Sequence, residues 1–147
     1  MKKRGRSFVW EISYYVDSRD RCPFQEWFLR DLNLIQQIAL RKAINNILLE
    51  TISLGLKTPS IKSLRDGVYE YRLSMSQKEL VRLLADFPDI PRVDVSKLLL
   101  RVFYTLGPNH KIVILSGYDK LADSHKRAQQ SEINRAKQLR RNWQQTR

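Results

Sequence analysis

The sequence predicts an α+β fold: an antiparallel sheet, an N-terminal helix pair packed on one face of it, and a basic C-terminal helix. Three observations lead there. Runs rich in β-branched and aromatic residues recur at 7–16, 67–74, 98–106 and 111–116. Between the first two runs, apolar residues fall at helical spacing. The segment from about Ser124 carries Ile133, Ala136, Leu139 and Trp143 on one side and mainly basic residues on the other. Strands interleaved with helices in this order make a small α+β domain. Its helices are expected mainly on one sheet face, leaving the other partly open for binding.

Each element has a local reason. Residues 1–6 form a basic arm. Ser7 to Val16 reads as a strand, closed by the turn Asp17-Ser18-Arg19-Asp20. Pro23 suits a first helical turn, and Phe24, Trp27, Phe28 and Leu32 are spaced for one face. A second helix carries Ile35, Ile38, Ala39, Ile44, Ile47, Leu48 and Ile52, with Gly55 as its C-cap and Pro59 beyond. A short connection around Asn33 makes the two helices an antiparallel pair. Residues 75–97 are an insert between strands. Within it, Glu79–Ala85 is either a strand pairing back on 68–74 or a short helix. Gly107-Pro108-Asn109-His110 is turn chemistry between two hairpin strands.

The chain has 147 residues, enough for one domain spanning 1–147 and too few for two cores. It holds 27 Lys and Arg against 15 Asp and Glu, a formal charge of +12. Such a surplus points to an anionic partner. From Lys120 to Arg147 there are eight basic residues against Asp123 and Glu132. This one-sided charge favours nucleic-acid contact over mere solvation. The single cysteine, Cys22, excludes an internal disulfide framework. With two histidines it also leaves too few soft ligands for a structural zinc site. The basic start is not followed by an uninterrupted apolar run, and nothing approaches the ~20 apolar residues of a membrane span. The expected setting is cytoplasmic, without membrane association.

Two arginines stand inside apolar strand runs: Arg72 in Tyr-Glu-Tyr-Arg-Leu and Arg101 in Leu-Leu-Leu-Arg-Val-Phe-Tyr. Burying an unpaired guanidinium is costly. Either both lie on an open sheet face, or each has a partner such as Glu70 or Asp119. Solvated or ion-paired face residues are the commoner case. The functional reading is a phosphate cleft, since the planar fork matches phosphate oxygens bidentately. His125, in Asp123-Ser124-His125-Lys126-Arg127, is the histidine placed for chemistry; His110 falls in a turn. Tyr118 and Lys120 sit at a strand-to-helix junction. Gly-rich phosphate loops, a Gly-x-Ser-x-Gly elbow and metal-ligand spacings do not occur in the sequence.

Lys62-Ser63-Leu64-Arg65-Asp66-Gly67-Val68-Tyr69-Glu70-Tyr71-Arg72 resembles the K-x-L-x-x-G-x-Y-E-x-R signature of HigB-like toxins, in the RelE/ParE superfamily of toxin–antitoxin systems. Arg101-Val102-Phe103-Tyr104, a turn, and Ile112 to Lys120 are similar to that family's R-V-x-Y, hairpin and G-[FY]-x-K block. Glu132 to Lys137 is similar to its terminal E-I-x-x-A-[KR] helix. Pro23-Phe24-x-x-Trp27-Phe28 fits its opening helix pair. The resemblance runs in order over nearly the whole chain. Two departures stand out: the 75–97 insert is longer than the family's tight turn, and Glu70 stands where RelE itself carries a cation.

The resemblance implies a RelE-like fold and a type II toxin: a ribosome-dependent endoribonuclease that cleaves mRNA in the decoding site by 2′-OH attack, without a cofactor. It implies Arg72 and Arg101 on the phosphate charge, Lys120 as phosphate contact or proton donor, and His125 as a further catalytic candidate. Lys62, Arg65, Tyr118, Lys126 and Arg127 would line the RNA path. The implied partners are a helix-turn-helix antitoxin and mRNA on the ribosome. Alternatives on the same fold are a ParE-type inhibitor of DNA gyrase and a non-catalytic RNA-binding or phage regulatory protein.

Overall fold

The computed structural model describes residues 10–54, 59–91, 96–123 and 125–146, with 48–54 as backbone alone. The elements are β1 (Glu11–Tyr14), α1 (Pro23–Asp31), α2 (Leu34–Leu54), β2 (Ile61–Ser63), β3 (Val68–Met75), α3 (Gln77–Leu84), β4 (Leu98–Gly107), β5 (Lys111–Asp119) and α4 (Lys126–Thr146). They form the expected α+β architecture. The arm at 1–6, the strand start at 7–9, the cap Gly55 and the 92–95 part of the insert lie outside the described residues.

The five strands are ordered β1-β5-β4-β3-β2. All neighbours are antiparallel except the first pair. β1 runs parallel to β5, with Glu11 opposite Lys111 and Tyr14 opposite Ile114. The sheet is therefore mostly rather than wholly antiparallel. The helix pair takes the chain away from β1 before β2 begins, so β1 returns to the sheet beside the last strand.

Local chemistry accounts for the boundaries. The Asp17 carboxylate accepts from the backbone N–H groups of Arg19 and Arg21 and closes the turn after β1. Pro23 opens α1, where its missing N–H costs nothing. Asn33 and Gln36 exchange side-chain-to-backbone hydrogen bonds of 2.8 and 2.9 Å, a capping box that starts α2 after a short connection. Ser76 and Glu79 do the same for α3. The turn between β4 and β5 places Asn109 and His110 at φ of 62° and 59°, and the His110 ring meets Trp10 edge-on at 5.0 Å.

Of the two readings for Glu79–Ala85, the structure takes the helix. Leu80, Leu83 and Leu84 are buried at helical spacing. β2 was not expected. It is three residues long and carries too little pattern to announce itself.

Two apolar layers flank the sheet. One holds Phe24, Phe28, Leu40, Ile47, Leu80 and Leu84 against Tyr71, Leu100, Val102 and Ile112. Full burial of a side chain such as Phe24 stabilises by about 1.5–3 kcal/mol. The second holds Ile133, Ala136, Leu139 and Trp143 of α4 against Val68, Phe103, Val113 and Leu115. Here the sequence expectation needs correction: α4 covers the face expected to lie open. Its apolar stripe, read from the sequence, is what docks it.

α4 is also pinned at its flank. The turn from β2 to β3 has Arg65, Asp66 and Gly67 all at positive φ. Lys137 pairs with Asp66 at 3.4 Å. The Thr105 hydroxyl donates to the Gly67 carbonyl at 2.7 Å and accepts from Arg140 Nε at 3.0 Å. A side chain at Gly67 would collide with the Arg140 guanidinium.

Candidate functional site

Three of the residues singled out from the sequence form one line across the sheet. Arg72 on β3 is the register partner of Arg101 on β4. Arg101 is in turn the partner of Tyr118 on β5. Directly opposed residues share a face and stand close together. The neighbouring row on that face runs Lys62, Glu70, Phe103 and Ser116. A register shift between Phe103 and Tyr104 makes this line. Below the shift Tyr104 faces Ile114; above it Phe103 faces Ser116. One extra residue in β5 thus sets Tyr118 opposite Arg101, where an unbroken ladder would set Gly117.

The two arginines are held differently. Arg72 donates to Glu70 at 3.0 Å; its side chain is 39% exposed, whereas that of Glu70 is fully buried. Arg101 is 7% exposed, and among the described residues its side chain makes one hydrogen bond, a 3.4 Å contact to the Leu100 carbonyl. Of the sequence alternatives, Arg72 has the Glu70 partner. Asp119 partners neither arginine: it accepts from Gln36 and from the backbone of Leu121 and Ala122.

Among the described residues, Glu70 Oε2, Arg101 Nε, Ser116 Oγ and Tyr118 OH are buried on this face without hydrogen-bond partners. Unsatisfied buried polar atoms are rare, because each costs about 1–3 kcal/mol. Four in two adjacent rows mark a built polar site. Tyr118 stacks on Phe103 with ring centroids 5.9 Å apart. Burial pushes its phenol above the ordinary range, Glu70 adds to the rise, and Arg101 opposes it. Tyr118 therefore remains a proton donor at neutral pH. The arrangement can bind an oxyanion through two guanidiniums and offer a phenolic proton beside it.

The remaining sequence candidates surround this line. Lys62 is the exposed edge partner of Glu70. Arg65 is exposed in the turn beyond it. Lys120 is partly exposed and extends the β4–β5 ladder by donating to Leu99 at 2.9 Å. Lys126 and Arg127 are exposed at the start of α4. His125 is exposed just before α4, and its N–H contacts Asp123 at 3.4 Å. No hydrogen bond or ion pair among the described residues ties His125 to the arginine line. No three His, Cys, Asp or Glu side chains among them are grouped to hold a metal ion.

Two carboxylates complete this site: Glu70, which the sequence offered as a possible ion-pair partner, and Glu132, which it did not single out. Glu70 anchors Arg72, a role that its spacing two residues before the arginine on one strand face foreshadows. Glu132 on α4 has a buried, unpartnered Oε1. Burial raises its carboxyl above the usual range, Arg135 lowers it, and Asp123 adds to the rise. Nothing local in the sequence marks it, since its surroundings come from α1 and β5.

A search of protein-family models gives no match to this chain, and no curated protein matches it. Among the described residues, no helix is long and apolar enough to cross a membrane.

Proposed function

We propose that this protein is a ribosome-dependent mRNA endoribonuclease, the toxin of a toxin–antitoxin pair acting in the cytoplasm. One observation carries the reading: Arg72, Arg101 and Tyr118 in a single cross-strand line, with buried polar atoms around them left unpartnered. Two fixed cations and a phenolic donor are what metal-independent RNA cleavage uses. The 2′-oxygen attacks the adjacent phosphorus as its proton passes to a base. The bond from phosphorus to the 5′-oxygen breaks, and that oxygen takes a proton. Charge that builds on the phosphate oxygens meets Arg72 and Arg101, and the Tyr118 phenol is poised to protonate the leaving oxygen. The +12 charge favours encounter with ribosomal RNA and makes it salt-sensitive. An antitoxin of the helix-turn-helix kind would be the controlling partner.

The test is inducible expression in a bacterium with mapping of mRNA 5′ ends, alongside Arg72→Ala and Arg101→Ala. The expected result is growth arrest with new ends inside coding sequence, both lost in the variants. Arrest with intact mRNA and a DNA-damage response would instead indicate gyrase inhibition. Neither arrest nor cuts from soluble protein would leave a binding protein.

A further inference from the structure

A second concavity lies on the far side of Tyr118. It is a groove of about 430 Å³ between α1, the end of β5 and the start of α4, and its lining includes Trp27, Gly117, Tyr118, Asp119, Glu132 and Arg135. Trp27 lies directly on Gly117, where a β carbon would fall 2.4 Å from the indole. The missing side chain leaves room for the indole to approach the strand this closely.

The groove's carboxylates are nearly all committed. Arg21 binds Glu26. Gln36 and two backbone N–H groups occupy Asp119. Asp123 accepts from the His125 backbone, and Asp31 is at the exposed rim. Among the described residues, Glu132 is the groove carboxylate that presents a buried oxygen without a partner.

Two independent features thus meet in one groove: the aromatic side chains of Trp27 and Tyr118 in its lining and, on Glu132, a buried acceptor without a partner among the described residues. The groove adjoins the arginine line through a shared residue. Tyr118 is the register partner of Arg101 and also lines the groove. Its phenol feels the charges of Glu70, Arg101, Glu132 and Arg72.

We propose that this groove is a nucleobase subsite, selective for guanine, for a nucleotide whose phosphate rests on Arg72 and Arg101. The proposal rests on the ribonuclease reading for its substrate class. A groove rich in carboxylates repels phosphate, so the sugar–phosphate chain stays on the arginine side. A neutral planar base suits aromatic walls. Guanine offers two adjacent N–H donors, N1–H and the N2 amine, which match a carboxylate's two oxygens. Adenine and cytosine each offer one amine beside an acceptor nitrogen, and uracil offers N3–H between two carbonyls that a carboxylate repels.

The test uses the purified full chain titrated with guanosine, cytidine and uridine 3′-monophosphates, for wild type and Glu132→Gln. The guanosine nucleotide is expected to bind tightest. The variant, which exchanges one acceptor for a donor, is expected to lose about tenfold for that nucleotide and little for the others. Ala128→Leu, which fills the groove from α4, controls for an indirect effect of Glu132 and is expected to weaken all three. Equal affinity for the three nucleotides, or an unchanged preference in Glu132→Gln, overturns the subsite. Cleavage-site mapping separates the two claims. Cuts without guanine enrichment at any fixed position defeat the subsite and leave the nuclease standing. Guanosine-selective binding without cuts in cells defeats the nuclease and leaves the subsite standing.

Discussion

Arg72 and Arg101 stand directly opposite each other on β3 and β4, two cations in a register position where like charges destabilise a sheet. Among the described residues only Arg72 of the two has a carboxylate partner, and Arg101 is buried with its Nε unpartnered. A fold selected for stability alone would place an apolar residue at 101. Arg101→Met should therefore raise stability by about 1 kcal/mol, read as a higher urea midpoint, while abolishing mRNA cutting. A lower midpoint would show that Arg101 contributes to the fold instead.

Glu70→Gln is expected to act in the opposite direction. It removes the buried anion that fixes Arg72 and leaves that guanidinium uncompensated. Breaking a buried pair typically costs about 3–5 kcal/mol; the partial exposure of Arg72 places this one below that range. Thermal unfolding of the variant should show a clear loss, and a mere surface effect would leave the transition where it is.

Gly67→Ala should cost at least about 1–2 kcal/mol. A β carbon at φ of 77° is strained, and it would also meet the Arg140 guanidinium. Because Arg140 and Thr105 tie α4 to this turn, the loss should appear as weakened protection of α4 amides in hydrogen exchange. Uniform protection across α4 would contradict this.

Ser76→Ala removes the hydroxyl that accepts from Glu79 N–H, and is expected to cost about 1 kcal/mol without affecting RNA cleavage. The cap's Glu79 carboxylate is held below its usual range by the Ser76 backbone N–H. Its stabilising contribution is present above the unfolded value and fades as pH falls through the lowered one. In Ser76→Ala the cap is half lost, so the variant should show a smaller decline in this range than wild type. Urea midpoints between pH 7 and 3 would reveal the difference.

Glu132 behaves in the reverse sense. Its carboxyl is raised by burial, so its charged form is disfavoured in the folded protein. The unfavourable contribution appears as pH rises through the raised value and is absent below the ordinary carboxylate range. Glu132→Gln should be more stable than wild type at pH 7, with the gap closing near pH 4. A gap of constant size would mean that something other than ionisation sets it.

Much of this was legible in the sequence because it is local. Pro23 marks the start of α1, and the Ile133–Trp143 stripe marks the docking side of α4. Ser76 and Glu79 form a capping box that the sequence reading passed over, which is why strand and helix both stayed open for 79–85. Arg72, Arg101 and Tyr118 each stand out as residues. Their alignment does not, because it depends on one extra residue in β5 beside Phe103. The same holds for β2, whose three residues exist as a strand only through β3, and for Glu132, whose burial is created by α1 and β5. The parallel pairing of β1 with β5 likewise lies beyond any window of sequence.

That pairing has a consequence for assembly on the ribosome. Synthesis proceeds from the N-terminus, so Glu11 to Tyr14 emerge long before Lys111 to Ile114, with which they pair. Tyr118 and α4 emerge later still. Non-local contacts of this kind close slowly, after the local helices have formed. The arginine line and the groove beside it are consequently completed only once synthesis has passed β5 and the start of α4. A nascent chain that has not yet reached α4 carries no assembled site while it is tethered to the machinery that the folded protein is proposed to attack.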